Sequence, residues 1–75
     1  MPAYRFITHN GGDHAVEIEC PDDKSARREA RQAFAEAAHD ALVDTDQIEM
    51  TMTVEAASGK VIYRGRFSVD AGDVN

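Results

Sequence analysis

The sequence predicts a two-layer α+β domain of order β-β-α-β-β: a four-stranded antiparallel sheet with one helix on one face. Three observations carry this. One long stretch, Asp22 to Val43, has helical periodicity. The segments on either side alternate apolar and polar residues with period two. The strand segments also come in two pairs, each joined by a turn-forming stretch, Asn10-Gly11-Gly12-Asp13 and Ala57-Ser58-Gly59-Lys60; Asn and Gly tolerate the positive φ that such turns need. One apolar stripe and one apolar sheet face bury each other most simply as two layers.

The first strand is expected over Ala3 to His9, with Tyr4, Phe6 and Thr8 on one face and Arg5, Ile7 and His9 on the other. The second runs from about His14 to Cys20, where Val16, Ile18 and Cys20 alternate with Glu17 and Glu19. After the helix, Ile48 to Glu55 alternates most cleanly: Ile48, Met50, Met52 and Val54 face inward, and Glu49, Thr51, Thr53 and Glu55 face outward. The fourth strand covers Val61 to Val69, with Val61, Tyr63, Phe67 and Val69 inward and Ile62, Arg64, Arg66 and Ser68 outward. Gly65 has inward parity, so it either makes room for the helix or marks a bulge.

In the helix, Ala26, Ala30, Ala33, Phe34, Ala37 and Ala41 recur at spacings of three and four, with Ala38 at the border. Alanine has the best helix propensity and allows close approach to the sheet. Phe34 is the one large anchor of the stripe. Pro21 followed by Asp22 and Asp23 marks the start, since a carboxylate caps free N–H groups and complements the positive helix end. Arg27 and Arg31 border the Phe34 side; Glu29, Glu36 and Asp40 border the other. Lys24, Arg27, Arg28 and Arg31 form a candidate partner patch. Lys24–Arg28 and Arg27–Arg31 are like-charge i,i+4 pairs near the wrong end of the dipole, a cost of ~0.3 kcal/mol each. Arginine stems covering apolar edges account for the same residues without a partner.

Outward charges constrain the strand order. Strands 1 and 4 carry Arg5, Arg64 and Arg66, while strands 2 and 3 carry Glu17, Glu19, Glu49 and Glu55. Opposite signs on neighbouring strands are favourable. That leaves the orders 2-1-3-4 and 1-2-4-3, and Pro21 at the end of strand 2 favours the first by suiting an edge. The helix would then cross over strand 1.

The chain of 75 residues is read as one domain, residues 1–75, with 71–75 expected to fray. A domain this small buries only ~60% of its unfolded surface, so its core is thin. The net charge of −6 argues against a general phosphate-backbone binder. No apolar run approaches the ~18 residues of a membrane span, no leader pattern precedes the first strand, and a cytoplasmic location is expected. Cys20 is the only cysteine and reads as a half-buried structural thiol, with Glu19 and Asp22 opposing thiolate formation.

No constellation for catalysis emerges. Ser25, Ser58 and Ser68 have no histidine placed near them, and the glutamates of the open face remain solvated and ionised. His9, Asp13 and His14 bracket a turn but lack a second cluster to complete a metal site. Arg5, Arg64 and Arg66 form a candidate sheet-face patch, though the aromatics that would stack bases have inward parity. Neither cofactor nor metal is expected, and the chain is read as no enzyme.

As an ensemble, Met1-Pro2-x-Tyr4-x-Phe6, the Gly/Asp turn, Val16-Glu17-Ile18, Pro21-Asp22, Ala26-Arg27-Arg28-Glu29-Ala30 and the hairpin around Ser58-Gly59-Lys60-Val61 resemble a group of short bacterial proteins classed as a domain of unknown function. The resemblance spans nearly the whole chain and implies fold and length but no activity. Cys20 stands where that group has a larger apolar residue. A second similarity is to antitoxin domains of the HicB kind, which also place a strand and a Pro-Asp step before an Ala/Glu-rich helix; their DNA-binding segment has no counterpart here. Two functions follow as expectations. One is a non-catalytic protein-interaction module that self-associates as a homodimer through an edge, strand 4 before strand 2. The other is an antitoxin-like binder of nucleic acid or of a toxin-like enzyme through the arginine border of the helix.

Overall fold

A computed structural model describes residues 1–74. Its elements are β1 (Ala3–His9), β2 (Asp13–Glu19), α1 (Asp23–Asp44), β3 (Gln47–Glu55) and β4 (Val61–Asp70). They form one four-stranded sheet in the order β2-β1-β3-β4, antiparallel throughout. Of the two orders that charge alternation allowed, this is the one with β2 and its following proline at an edge. Gly11 and Gly59 take the positive φ of their turns, at 73° and 89°. In the predicted tail, residues 71–74 have no regular structure and residue 75 lies outside the described residues.

The register places the charges as the sign argument requires. Arg5 stands opposite Glu17 on β2 and Glu55 on β3. Arg66 stands opposite Thr51, and its guanidinium reaches diagonally to Glu49 at 3.4 Å. Both of those side chains are exposed, so the pair orders the face more than it stabilises it.

The core lies between the sheet and the first half of α1. Tyr4, Phe6, Cys20, Ala26, Ala30, Met52 and Val54 form a buried cluster. Ile48, Met50 and Ala38 are also buried. Strand β3, the cleanest alternation in the sequence, has all four inward residues buried. Two polar contacts fasten the helix start. Asp22 caps it, its carboxylate accepting the Ser25 N–H at 2.8 Å, which holds that carboxyl below its usual range. The Tyr4 hydroxyl donates to Asp23 Oδ1 at 2.6 Å. At the other end the Thr45 N–H donates to the Ala41 carbonyl at 3.0 Å.

Several finer expectations are corrected. Phe34 is half-buried: it packs at the rim of the core and meets Phe67 edge-to-face, ring centroids 6.4 Å apart. The buried aromatic anchors are instead Tyr4 and Phe6, from the sheet. Gly65 does make room for the helix, since a Cβ there would lie 3.1 Å from the Phe34 ring. The bulge is elsewhere. Val54 pairs with Tyr63 and Glu55 with Val61, so Ile62 is the extra residue. It turns inward against the core and leaves Val61 exposed, the reverse of simple alternation. Ala33 is exposed and Cys20 is fully buried. Helix α1 backs β3 and β4 more closely than β1. Val16, on the inner face of β2, is consequently 57% exposed.

Two outcomes are expected. Donation to Asp23 is the largest influence on the Tyr4 phenol, followed by burial, and together they push its pKa up from 10.0 to about 12. The neutral phenol is the form that fits the fold. Its contribution is therefore complete below pH 10 and is lost as pH rises toward 12. Tyr4→Phe should weaken the alkaline loss of stability, measured as the difference between wild-type and variant urea midpoints across that range. Phe34→Ala should cost about 2 kcal/mol in urea unfolding, less than the ~3–5 kcal/mol of a fully buried phenylalanine.

Candidate functional site

An open apolar feature lies at the β4 edge. Helix α1 overhangs that strand, and the space between them is a groove of about 570 Å³. Phe34, Ala38 and Leu42 form one wall and Tyr63 and Phe67 the floor, with Arg31 at the rim. Leu42 is 45% exposed. The amphipathic pattern produces the groove: Phe34, Ala38 and Leu42 recur at i, i+4 and i+8, one row on the helix. Phe34 finds a floor over Gly65 and Ala38 is buried, while Leu42 is left open.

Among the described residues strand β4 has β3 as its only neighbour, so its other edge carries free backbone groups. Their identity follows from the hydrogen-bond phase of the sheet. The Cys20 N–H donates to the Pro2 carbonyl, and the Ala71 N–H donates to the Asp46 carbonyl. In antiparallel pairs bonded and non-bonded residues alternate. Stepping along the registers, Tyr63, Gly65, Phe67 and Val69 bond to β3. Arg64, Arg66 and Ser68 therefore aim their N–H and C=O groups out of the sheet. On the opposite edge, His14, Val16 and Ile18 bond to β1, and Ala15, Glu17 and Glu19 aim outward. At both edges the free backbone groups belong to residues whose side chains lie on the open face.

The sequence-predicted residues are distributed as follows. Lys24, Arg28 and Arg31 are exposed on α1, and Arg27 is half-buried. None of the four lies within 4.0 Å of a carboxylate among the described residues. Arg31 alone joins the groove. Arg5, Arg64 and Arg66 share the open face but do not form one patch. Arg5 is enclosed by Glu17 and Glu55, and β3 separates it from the two β4 arginines. His9 hydrogen-bonds Asp13 across the first turn, whereas His14, on the other face, lines a groove of about 300 Å³ with Thr8 and Met50. Among the described residues no three His, Cys, Asp or Glu side chains converge. Burial, then Glu29 and Asp22, pushes the Cys20 thiol up, which opposes thiolate formation.

Sequence reasoning missed the groove, Leu42 and the bareness of Val16. Periodicity gives the face of a residue, not the breadth of what covers that face. The mismatch between one helix and four strands was the available signal.

No match was found among curated proteins or among solved structures. A family model described as a domain of unknown function, DUF6894, matches residues 3–68. That span runs from the first residue of β1 to Ser68 near the end of β4, and so takes in the helix, the whole groove and both sheet edges. The chain belongs to the DUF6894 family, a domain of unknown function.

Proposed function

We propose that this chain is a small non-catalytic protein-interaction module that associates with itself. The observation that carries the reading is the open groove at β4, where apolar side chains and free backbone donors and acceptors of an edge strand lie together. An edge strand of this kind recruits another strand through main-chain bonds, with pockets for alternate side chains. The size of the chain adds support, because thin cores in small domains are commonly completed by a second subunit. The non-catalytic part is supported by the use already found for each perturbed group. Tyr4, Cys20 and Asp22 serve helix docking, core packing and capping.

One observation favours a second reading. Lys24, Arg27, Arg28 and Arg31 are four cations along one helix border with no carboxylate within 4.0 Å among the described residues. An anionic partner, nucleic acid or an acidic protein surface, suits that border.

Each reading has its measurement. In sedimentation, wild-type mass should rise above 8.2 kDa with concentration; a monomer at every practical concentration overturns self-association. For the second reading, mixed nucleic acids should raise the fluorescence anisotropy of labelled protein in a salt-dependent way, and the paired charge reversal Arg27→Glu with Arg31→Glu should abolish the rise. No rise at low salt removes the nucleic-acid form of that reading.

A further inference from the structure

We infer that the occupant of the β4 edge is the β2 edge of a second copy, joined head to tail, so that the sheet continues antiparallel from one chain into the next. The inference deepens the self-association reading and rests on it. Four observations converge on this joint. First, the signs on the open face alternate from strand to strand: acidic on β2, basic on β1, acidic on β3, basic on β4. A second β2 beside β4 continues that alternation. A β4–β4 joint would set Arg64 and Arg66 against arginines, and a β2–β2 joint would set glutamates against glutamates, both unfavourable.

Second, what each edge lacks the other provides. At β4 the helix overhangs a groove with no strand beneath its outer side. At β2 the strand has an inner face with no helix above Val16. Third, the bonding phases agree. The free groups of β4 belong to Arg64, Arg66 and Ser68, and those of β2 to Ala15, Glu17 and Glu19, so pairing them keeps inner faces together. With Arg64 opposite Glu19 and Arg66 opposite Glu17, Ile18 of the second copy meets Gly65 under Phe34. Val16 of that copy then meets Phe67. Fourth, the directions agree. In the order β2-β1-β3-β4 the two outer strands run oppositely, so a copy in the same orientation presents β2 antiparallel to β4. Successive helices would stand about four strand spacings apart, roughly 19 Å, which leaves both free of collision.

The joint is heterologous, so it repeats into an open chain or closes into a ring. Its test uses the bonding phase. Ala15→Pro and Ser68→Pro each remove an N–H that faces outward and is not used inside the chain, and proline is tolerated at such edge positions. Ala15→Pro blocks β2 and leaves β4 live; Ser68→Pro does the converse. Each variant alone should sediment at 8.2 kDa under conditions where the wild type assembles. Their equimolar mixture should give a heterodimer of twice that mass and stop there. Circular dichroism establishes that each is folded. Should either not fold, the charge-reversed variants Arg64→Glu and Glu19→Lys replace them, since these residues face each other across the joint and stand opposite uncharged Thr53 and Ala3 in their own chain: each inert alone, assembling when mixed. Assembly by Ala15→Pro alone would mean a β4–β4 joint, and assembly by Ser68→Pro alone a β2–β2 joint. Either result, or an inert mixture, overturns the head-to-tail joint while self-association stands. A wild type that never assembles overturns both.

Discussion

One helix is too narrow for four strands, and the rest of the structure follows from that mismatch. A helix with its side chains is about 10–12 Å across. The axes of the outer strands lie about 14 Å apart, before side chains are added at either edge. The alanine stripe lowers α1 close to the sheet but adds little width. The helix must favour one side, and it favours β3 and β4. Its first turns reach back to β1 through the bond from Tyr4 to Asp23 and through Ala26 and Ala30 on the core cluster. The well-buried core thus occupies one end of the molecule. Toward the other end the helix stands between two grooves, one at β4 and one toward Thr8 and His14.

The side chains along that second half show how the mismatch is shared. Phe34 uses the absence of a side chain at Gly65 to reach the sheet, and there its stabilising contact ends. Leu42, two turns later on the same row, has no equivalent floor and stays exposed. Burying a leucine fully is worth ~1.5–3 kcal/mol, so Leu42 and Val16 together represent stabilisation that the isolated chain forgoes. An exposed apolar residue by itself means little. Here the exposed residues lie beside strand edges whose outward main-chain groups are not used within the sheet, the combination that supports the proposed self-association.

Much of this architecture was legible in the residues. Strict alternation located β3, and its inward residues are the best buried of any strand. Strand order was legible from charge, because opposite signs opposed across a ladder attract at ~5 Å while like signs repel, and Arg5 between Glu17 and Glu55 is the outcome. Pro21 resolved the remaining choice. Other features were not legible. The extra residue at Ile62 carries no mark of its own, since a bulge depends on the strand opposite; Gly65, read as either a bulge or room for the helix, is the second. Val16 alternates correctly yet stays open, because alternation reports a face and cannot report the reach of a helix. Of the candidate residues, the arginines were found by sign alone. Periodicity already divided them between helix border and sheet face; the place of Arg31 at the groove rim needed the fold.

The charge alternation that ordered the strands acts on two length scales. Between adjacent strands it is a short-range effect between exposed side chains, felt over a few ångströms and weakened but not erased by salt. The net charge of −6 acts between whole molecules, over distances beyond the ~8 Å Debye length of physiological solution. The two oppose each other wherever chains meet. At low ionic strength the long-range repulsion between acidic molecules dominates. As salt rises toward physiological strength it fades sooner than the close pairing of an arginine row with a glutamate row. The net charge therefore acts between whole molecules at a distance, and the sign alternation acts only row against row at close range. Inside the chain the same short-range rule sets Arg5 between Glu17 and Glu55 and brings Arg66 to Glu49 across the β3–β4 ladder.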